Sequence, residues 1–195
     1  MRALVLLLAL AAVPAAAANA VTIGHRDVDA AASLPQSALA RVATQRWLFA
    51  HASIGSNILD GLTILNEADP ARYAVVTSWS GNGTQIFAPP ATTVAGTIYD
   101  ANRGDPTWQE KLAIFDDAVR QLGWHYPRID VAMDKLCFID DSAEAAPYLA
   151  SMTALERDYP DTRFVYVTRP LRTTGGPVSA NIGAAEYNAA VRAHC

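Results

Sequence analysis

Trp47-Leu-Phe-Ala-His-Ala-Ser-Ile-Gly-Ser-Asn-Ile-Leu-Asp-Gly61 is the stretch around which the rest of the chain is read. Trp47 to Ala50 is a short apolar run with the length of a buried strand. His51-Ala-Ser-Ile-Gly55 is small and polar and reads as a turn. From Ser56 the chain reads as a helix, with Ile58, Leu62 and Leu65 on one apolar face. Ser53 therefore falls between the C-terminal end of a strand and the N-terminus of a helix. Backbone N–H groups point outward at such a junction, and the helix dipole favours negative charge there. A serine so placed can attack a carbonyl and help hold the resulting oxyanion. Ser, Gly and Asn are also ordinary capping and turn residues, so the local pattern leaves both readings open.

Met1 to Ala20 has the composition of a signal peptide. Arg2 is its one charge, Ala3 to Val13 is an unbroken apolar run, and Ala18-Asn-Ala20 fits a small-x-small cleavage site. The run is short for a membrane span, and no cysteine at the cleavage point offers a lipid anchor. The expectation is a bacterial exported protein, periplasmic or secreted, with no membrane anchor. The remaining residues, about 175, suit one domain. The formal charge of −4 becomes about −5 when Arg2 is lost and no acid goes with it. That balance argues against nucleic acid as a partner. Cys137 and Cys195 could pair in an oxidising compartment, but nothing in the sequence brings them together. No Cys/His spacing suggests a metal site, and no cofactor is implied.

Residues 21–46 read as a loose lead-in with a short helix from Ser37. After the Ser53 turn a helix runs to about Asn66. Tyr73 to Thr77 reads as a second strand. Ser78 to Pro106 is rich in Gly, Pro and Asn and reads as a long irregular loop. Leu112, Phe115, Ala118, Val119 and Leu122 mark a helix closed by Gly123. Ile129 to Ile139 is a third strand candidate, Ala143 to Tyr159 a helix, and Arg163 to Thr168 the clearest strand. A last helix begins near Ala184. Strands alternating with helices predict an α/β domain with a parallel sheet of about four strands. Right-handed crossovers would gather Ser53 and the other strand-end loops at one rim.

Phe49-Ala-His-Ala-Ser-Ile-Gly-Ser-Asn-Ile-Leu-Asp-Gly61 resembles the opening block of a branch of the SGNH (GDSL-like) hydrolases, in which His-x-Ser-x-Gly replaces Gly-Asp-Ser. Further blocks follow in the same order. Asp105-Pro106 with Lys111, Ile114 and Phe115 resembles an Asp-Pro…Lys-Ile…Phe stretch. Lys135-Leu-Cys-Phe-Ile-Asp140 resembles a Lys-Phe-Cys-Tyr-x-Asp strand end. Thr168-Arg-Pro-Leu171 resembles Thr-x-Pro-Leu, and Tyr187-Asn188 with Arg192 resembles a Tyr-Asn…Arg helix. The resemblance implies a flavodoxin-like three-layer sandwich occupying residues 47–195. It implies an exported serine ester hydrolase acting on acyl esters or acylated glycans, with no cofactor. Ser53 would be the nucleophile and would supply one oxyanion N–H. For further donors Gly83 and Asn82, after the second expected strand, are favoured, while the Asp105-Pro106 match points instead to Asn102 to Gly104. Gly55, Asn57, Lys135 and Asp140 are the other rim candidates.

The chain also departs from the family pattern. The usual Gly-x-Asn-Asp block is replaced by Cys137-Phe-Ile-Asp140, which has no Asn; Lys135 is the alternative donor. The family's Asp-x-x-His follows a further strand, whereas this sequence reaches Cys195 within the preceding helix. By the resemblance the catalytic His and Asp, and the C-terminal strand and helix that carry them, are missing. His51 is the nearest substitute base, although a residue two positions from the nucleophile rarely presents its ring to it. The reading from another class is a non-catalytic exported binding domain built on the same fold.

Overall fold

The computed structural model describes residues 21–78, 93–123, 129–172 and 177–195. The strand expected at Trp47 is β1, Arg46–His51, and it lies at the centre of the sheet. Leu48, Phe49, Ala50 and His51 are all buried, which is what a strand covered on both faces requires. Helix α3 follows as Ile54–Ala68. The remaining strands are β2 (Val76–Ser78), β3 (Thr97–Asn102), β4 (Val131–Asp134) and β5 (Arg163–Tyr166). All pairings are parallel, in the order β2-β3-β1-β4-β5. Helices α4 (Trp108–Gly123), α5 (Ala145–Asp158) and α6 (Val178–His194) complete the domain. The architecture is an α/β fold, a parallel sheet flanked by helices as in flavodoxin-like three-layer sandwiches.

Alternation along β1 sorts the layers. Leu48 and Ala50 enter the main core with Leu112 and Phe115 of α4, Met152 and Leu155 of α5 and Val191 of α6. Phe49 and His51 point to the opposite face, where α3 lies against β1. The chain leaves β1 toward β3 on one side and then crosses to β4 on the other. With right-handed crossovers, α3 and α4 must occupy opposite faces. β1 is thus the point where the winding reverses, and ligand crevices in open α/β sheets form at such points.

Among the described residues the sheet has five strands where about four were expected. The addition is β3, inside the segment read as an irregular loop. Its alternation is regular, with Thr97, Tyr99 and Ala101 buried and Ile98, Asp100 and Asn102 half-buried. Thr97, Asp100 and Asn102 make half of a six-residue strand polar, just after glycines and prolines, and that hid the pattern. Gly96 makes the entry possible: its φ is 74°, and a Cβ there would lie 2.7 Å from the Ala43 carbonyl oxygen. β4 is shorter than the expected Ile129–Ile139. The chain leaves it at Lys135 for a turn in which the Cys137 N–H donates to Asp140 Oδ2 at 2.6 Å. The lead-in forms short helices, α1 (Val28–Ala32) and α2 (Gln36–Val42). Arg72 Nη2 pins the turn between them by donating to the carbonyls of Ala32 and Leu34. Cys137 and Cys195 are both free thiols. Among the described residues no helix is long and apolar enough to cross a membrane.

The loops after β3 and β4 are tied together through α4. Lys111 is fully buried, and its Nζ donates to Asp140 Oδ1 and Oδ2 at 2.8 and 2.9 Å and to Asp105 Oδ1 at 3.2 Å. Removing one partner of a buried charge pair leaves the other uncompensated and costs about 3–5 kcal/mol. Lys111→Ala is therefore expected to lower unfolding free energy by that amount in urea denaturation. A loss no larger than that of an exposed lysine would show that the cluster carries no such charge.

Candidate active site

Ser53 is, among the described residues, the one non-glycine residue at positive φ (48°, with ψ −106°). β1 delivers the chain to the rim, Ala52 is buried, and Ser53 is exposed as the N-cap of α3. L-residues at such angles cost about 1–3 kcal/mol, so the surrounding turn must impose the conformation. Gly55 N–H donates to the Ala52 carbonyl at 3.0 Å and Ser56 N–H to the Ser53 carbonyl at 2.8 Å. The Ser53 N–H has no acceptor among the described residues. It stands at the positive end of a 15-residue helix, where it can meet an oxyanion. A sharp, strained strand-to-helix turn that exposes a serine hydroxyl is the geometry of a nucleophile elbow.

His51 lies beneath this turn with no solvent exposure. Its Nε2 pairs with Asp100 Oδ1 at 2.8 Å across the β1–β3 ladder. The other ring nitrogen, Nδ1, is buried and has no hydrogen-bond partner among the described residues. Gly55 closes over the ring: a Cβ at Gly55 would lie 2.3–2.4 Å from His51 Cβ, Cγ and Nδ1. The Gly of His-x-Ser-x-Gly is thus a packing requirement of its His. Asp100 was not among the sequence candidates, because the strand that carries it was read as loop.

The strand end beside Ser53 is that of β3. Arg103 N–H donates to the His51 carbonyl at 3.0 Å, and Gly104 N–H to Asn102 Oδ1 at 3.2 Å, with Gly104 at φ 66°. The oxyanion candidates Asn82 and Gly83 lie outside the described residues. They follow β2, which is separated from β1 by β3. The segment Asn102 to Gly104 now occupies that neighbouring position.

On the other side, Lys135 N–H donates to the Ala50 carbonyl at 2.9 Å. Lys135 is nearly enclosed, and among the described residues its Nζ donates only to the Leu136 carbonyl, at 3.4 Å. Burial holds its pKa below the ordinary lysine value. Asp140 is committed to Lys111 and to the Cys137 N–H, so it serves structure at the rim. Asn57 is exposed on the first turns of α3. His194 lies against the Tyr166 ring at 5.2 Å, near the end of α6. A cleft of about 290 Å³ opens between the loops after β3 and β4, lined by Asp105, Thr107, Trp108, Ile139, Asp140 and Ser142. Among the described residues no cluster of His, Cys, Asp or Glu could hold a metal ion.

Below the rim, Asp134 and Arg103 are both fully buried, with Nη2 and Oδ1 2.7 Å apart. The contact is one of charge, without the alignment of a hydrogen bond. Burial raises the Asp134 carboxyl from 3.8 to about 6, against the opposing pull of Arg103. No family model, curated protein or solved structure matches this chain.

Two predictions follow from these groups. Ser53→Gly relieves the backbone strain, so it should be more stable than Ser53→Ala by about 1–3 kcal/mol in urea unfolding; equal stabilities would remove the strain from the account. Asp134 binds its proton more tightly folded than unfolded. Its contribution is full below 3.8 and is lost as pH rises through about 6, a change of roughly 3 kcal/mol. Stability measured from pH 4 to pH 7 should therefore fall less steeply in Asp134→Asn than in the natural chain.

Proposed function

We propose that this chain is an exported serine ester hydrolase of the SGNH type, acting on acyl esters of small molecules or glycans. The observation that carries the reading is the backbone of Ser53: an exposed hydroxyl held at positive φ between a buried strand and a helix N-terminus. Strain at a polar, exposed residue on a topological reversal marks a functional position. In this reading Ser53 Oγ attacks the ester carbonyl as its proton passes to a base. The Ser53 N–H and the end of β3 face the oxyanion, with Lys135 as an additional cationic donor. Collapse expels the alcohol, which takes up the proton, and water then releases the acid from the acyl-serine. The cleft between the loops after β3 and β4 offers Asp105, Thr107 and Ser142 as hydrogen-bonding groups beside Trp108 and Ile139, a lining that suits the hydroxylated alcohol half of an acylated glycan. The apolar segment Met1 to Ala20 supports export.

A second reading, an exported binding domain without catalysis, is favoured by one observation. His51, the imidazole nearest Ser53 in sequence, is fully buried and engaged by Asp100. A fluorophosphonate separates the two. The hydrolase should form an adduct on Ser53, located by mass spectrometry after digestion and absent from Ser53→Ala. A folded chain that stays unlabelled would leave the binding domain as the surviving reading.

A further inference from the structure

We infer that His51, oriented by Asp100, is a positioning residue for Ser53: its ring is the platform on which the first turn of α3 rests, and it does not take the serine proton. The inference rests on the reading of Ser53 as nucleophile, and it explains the spacing of His-x-Ser-x-Gly. Position 51 ends β1, position 53 is the strained residue, and position 55 is the first helical residue to pass back over the strand end. The platform is rigid for three reasons. The ring is completely buried, it packs at a tilt against Phe49 with centroids 4.7 Å apart, and its Nε2 is held by Asp100 at 2.8 Å. Only a residue without Cβ can lie this close to it, since a methyl at Gly55 would be 2.3–2.4 Å from three ring-side atoms. The contact therefore sets the height of α3 over β1, and with it the path the chain must take through Ser53. The same enclosure argues against proton transfer. Nε2 faces the Asp100 carboxylate, and Nδ1 is covered by the turn it supports.

Glutamine at position 51 separates the two roles, because its amide can still donate to Asp100 but cannot accept a proton at neutral pH. The experiment combines fluorophosphonate labelling of Ser53 across pH with urea unfolding of His51→Gln, His51→Ala, Gly55→Ala and the double variant His51→Ala/Gly55→Ala. For a platform, His51→Gln keeps the wild-type pH dependence and labels within about tenfold of the wild-type rate. His51→Ala should lose on the order of a hundredfold, as expected when a nucleophile is misplaced by about 1 Å. Gly55→Ala should lower the urea midpoint sharply, and removal of the ring in the double variant should recover much of that loss. A folded His51→Gln that no longer labels would make His51 the base and overturn the inference. So would a Gly55→Ala variant as stable as the natural chain. If the natural chain does not label, the nucleophile reading falls, while the unfolding comparison still decides whether ring and glycine are coupled.

Discussion

The Lys111 amine is sealed from solvent and met by two carboxylates, and the placement of the rim depends on that pairing. Lys111 comes from α4, Asp105 from the loop after β3 and Asp140 from the turn after β4. Those two loops belong to the strands on either side of β1. The charge cluster therefore closes an arc around the end of the central strand, where Ser53 emerges. Asp140 also receives the Cys137 N–H, so one carboxylate fixes both the cation and the turn that ends β4. Buried ion pairs are not a strong source of net stability; here the pair determines where two loops go.

The blocks that resemble the SGNH branch meet one another in space. Lys111, which also pairs with Asp105 of its own block, contacts Asp140 from the next. Arg169, in Thr168-Arg-Pro-Leu171, is gripped by Asn188 of the Tyr187-Asn188 block. Asn188 accepts from the Arg169 N–H at 2.6 Å and donates to its carbonyl at 2.9 Å. The Arg169 guanidinium lies over the Tyr187 ring, and burial lowers its pKa from the usual arginine value. Much of what looks like a motif in this chain is thus a set of side chains holding loop backbones at the rim. Ser53 differs from them in being exposed and strained, with its hydroxyl free of such a task.

How much of this could be read in advance depended on the kind of signal. The order of strand, turn and helix around Ser53 was legible because an apolar run changes to helical spacing within a few residues. The amphipathic spacing of Leu112, Phe115, Ala118 and Val119 likewise gave α4 directly, and all four are buried. β3 was not legible, because Asp100 and Asn102 interrupt it and its burial comes from both neighbouring strands. With β3 unread, Asp100 could not be placed against His51, and Asn102 to Gly104 stood only as the alternative to Asn82 and Gly83. The tie between His51 and Gly55 was also hidden, since it arises from packing across a turn and leaves no periodic trace. Lys135, His51 and Ser53 were all named from sequence, but their different degrees of enclosure required the fold.

The position of β1 in the sheet has a consequence for how the chain acquires its structure. β1 comes early in the sequence, yet its partners are residues 97–102 and 131–134. Neither ladder can form until about half of the chain exists, so the central contacts are among the most sequence-distant in the sheet. Such pairing carries a loop-closure cost before it returns any burial, and it slows folding. Until then Trp47 to Ala50 is an apolar, unpaired segment, open to partners other than its own. The arrangement that places Ser53 at the middle of the rim makes its strand one of the last to be secured.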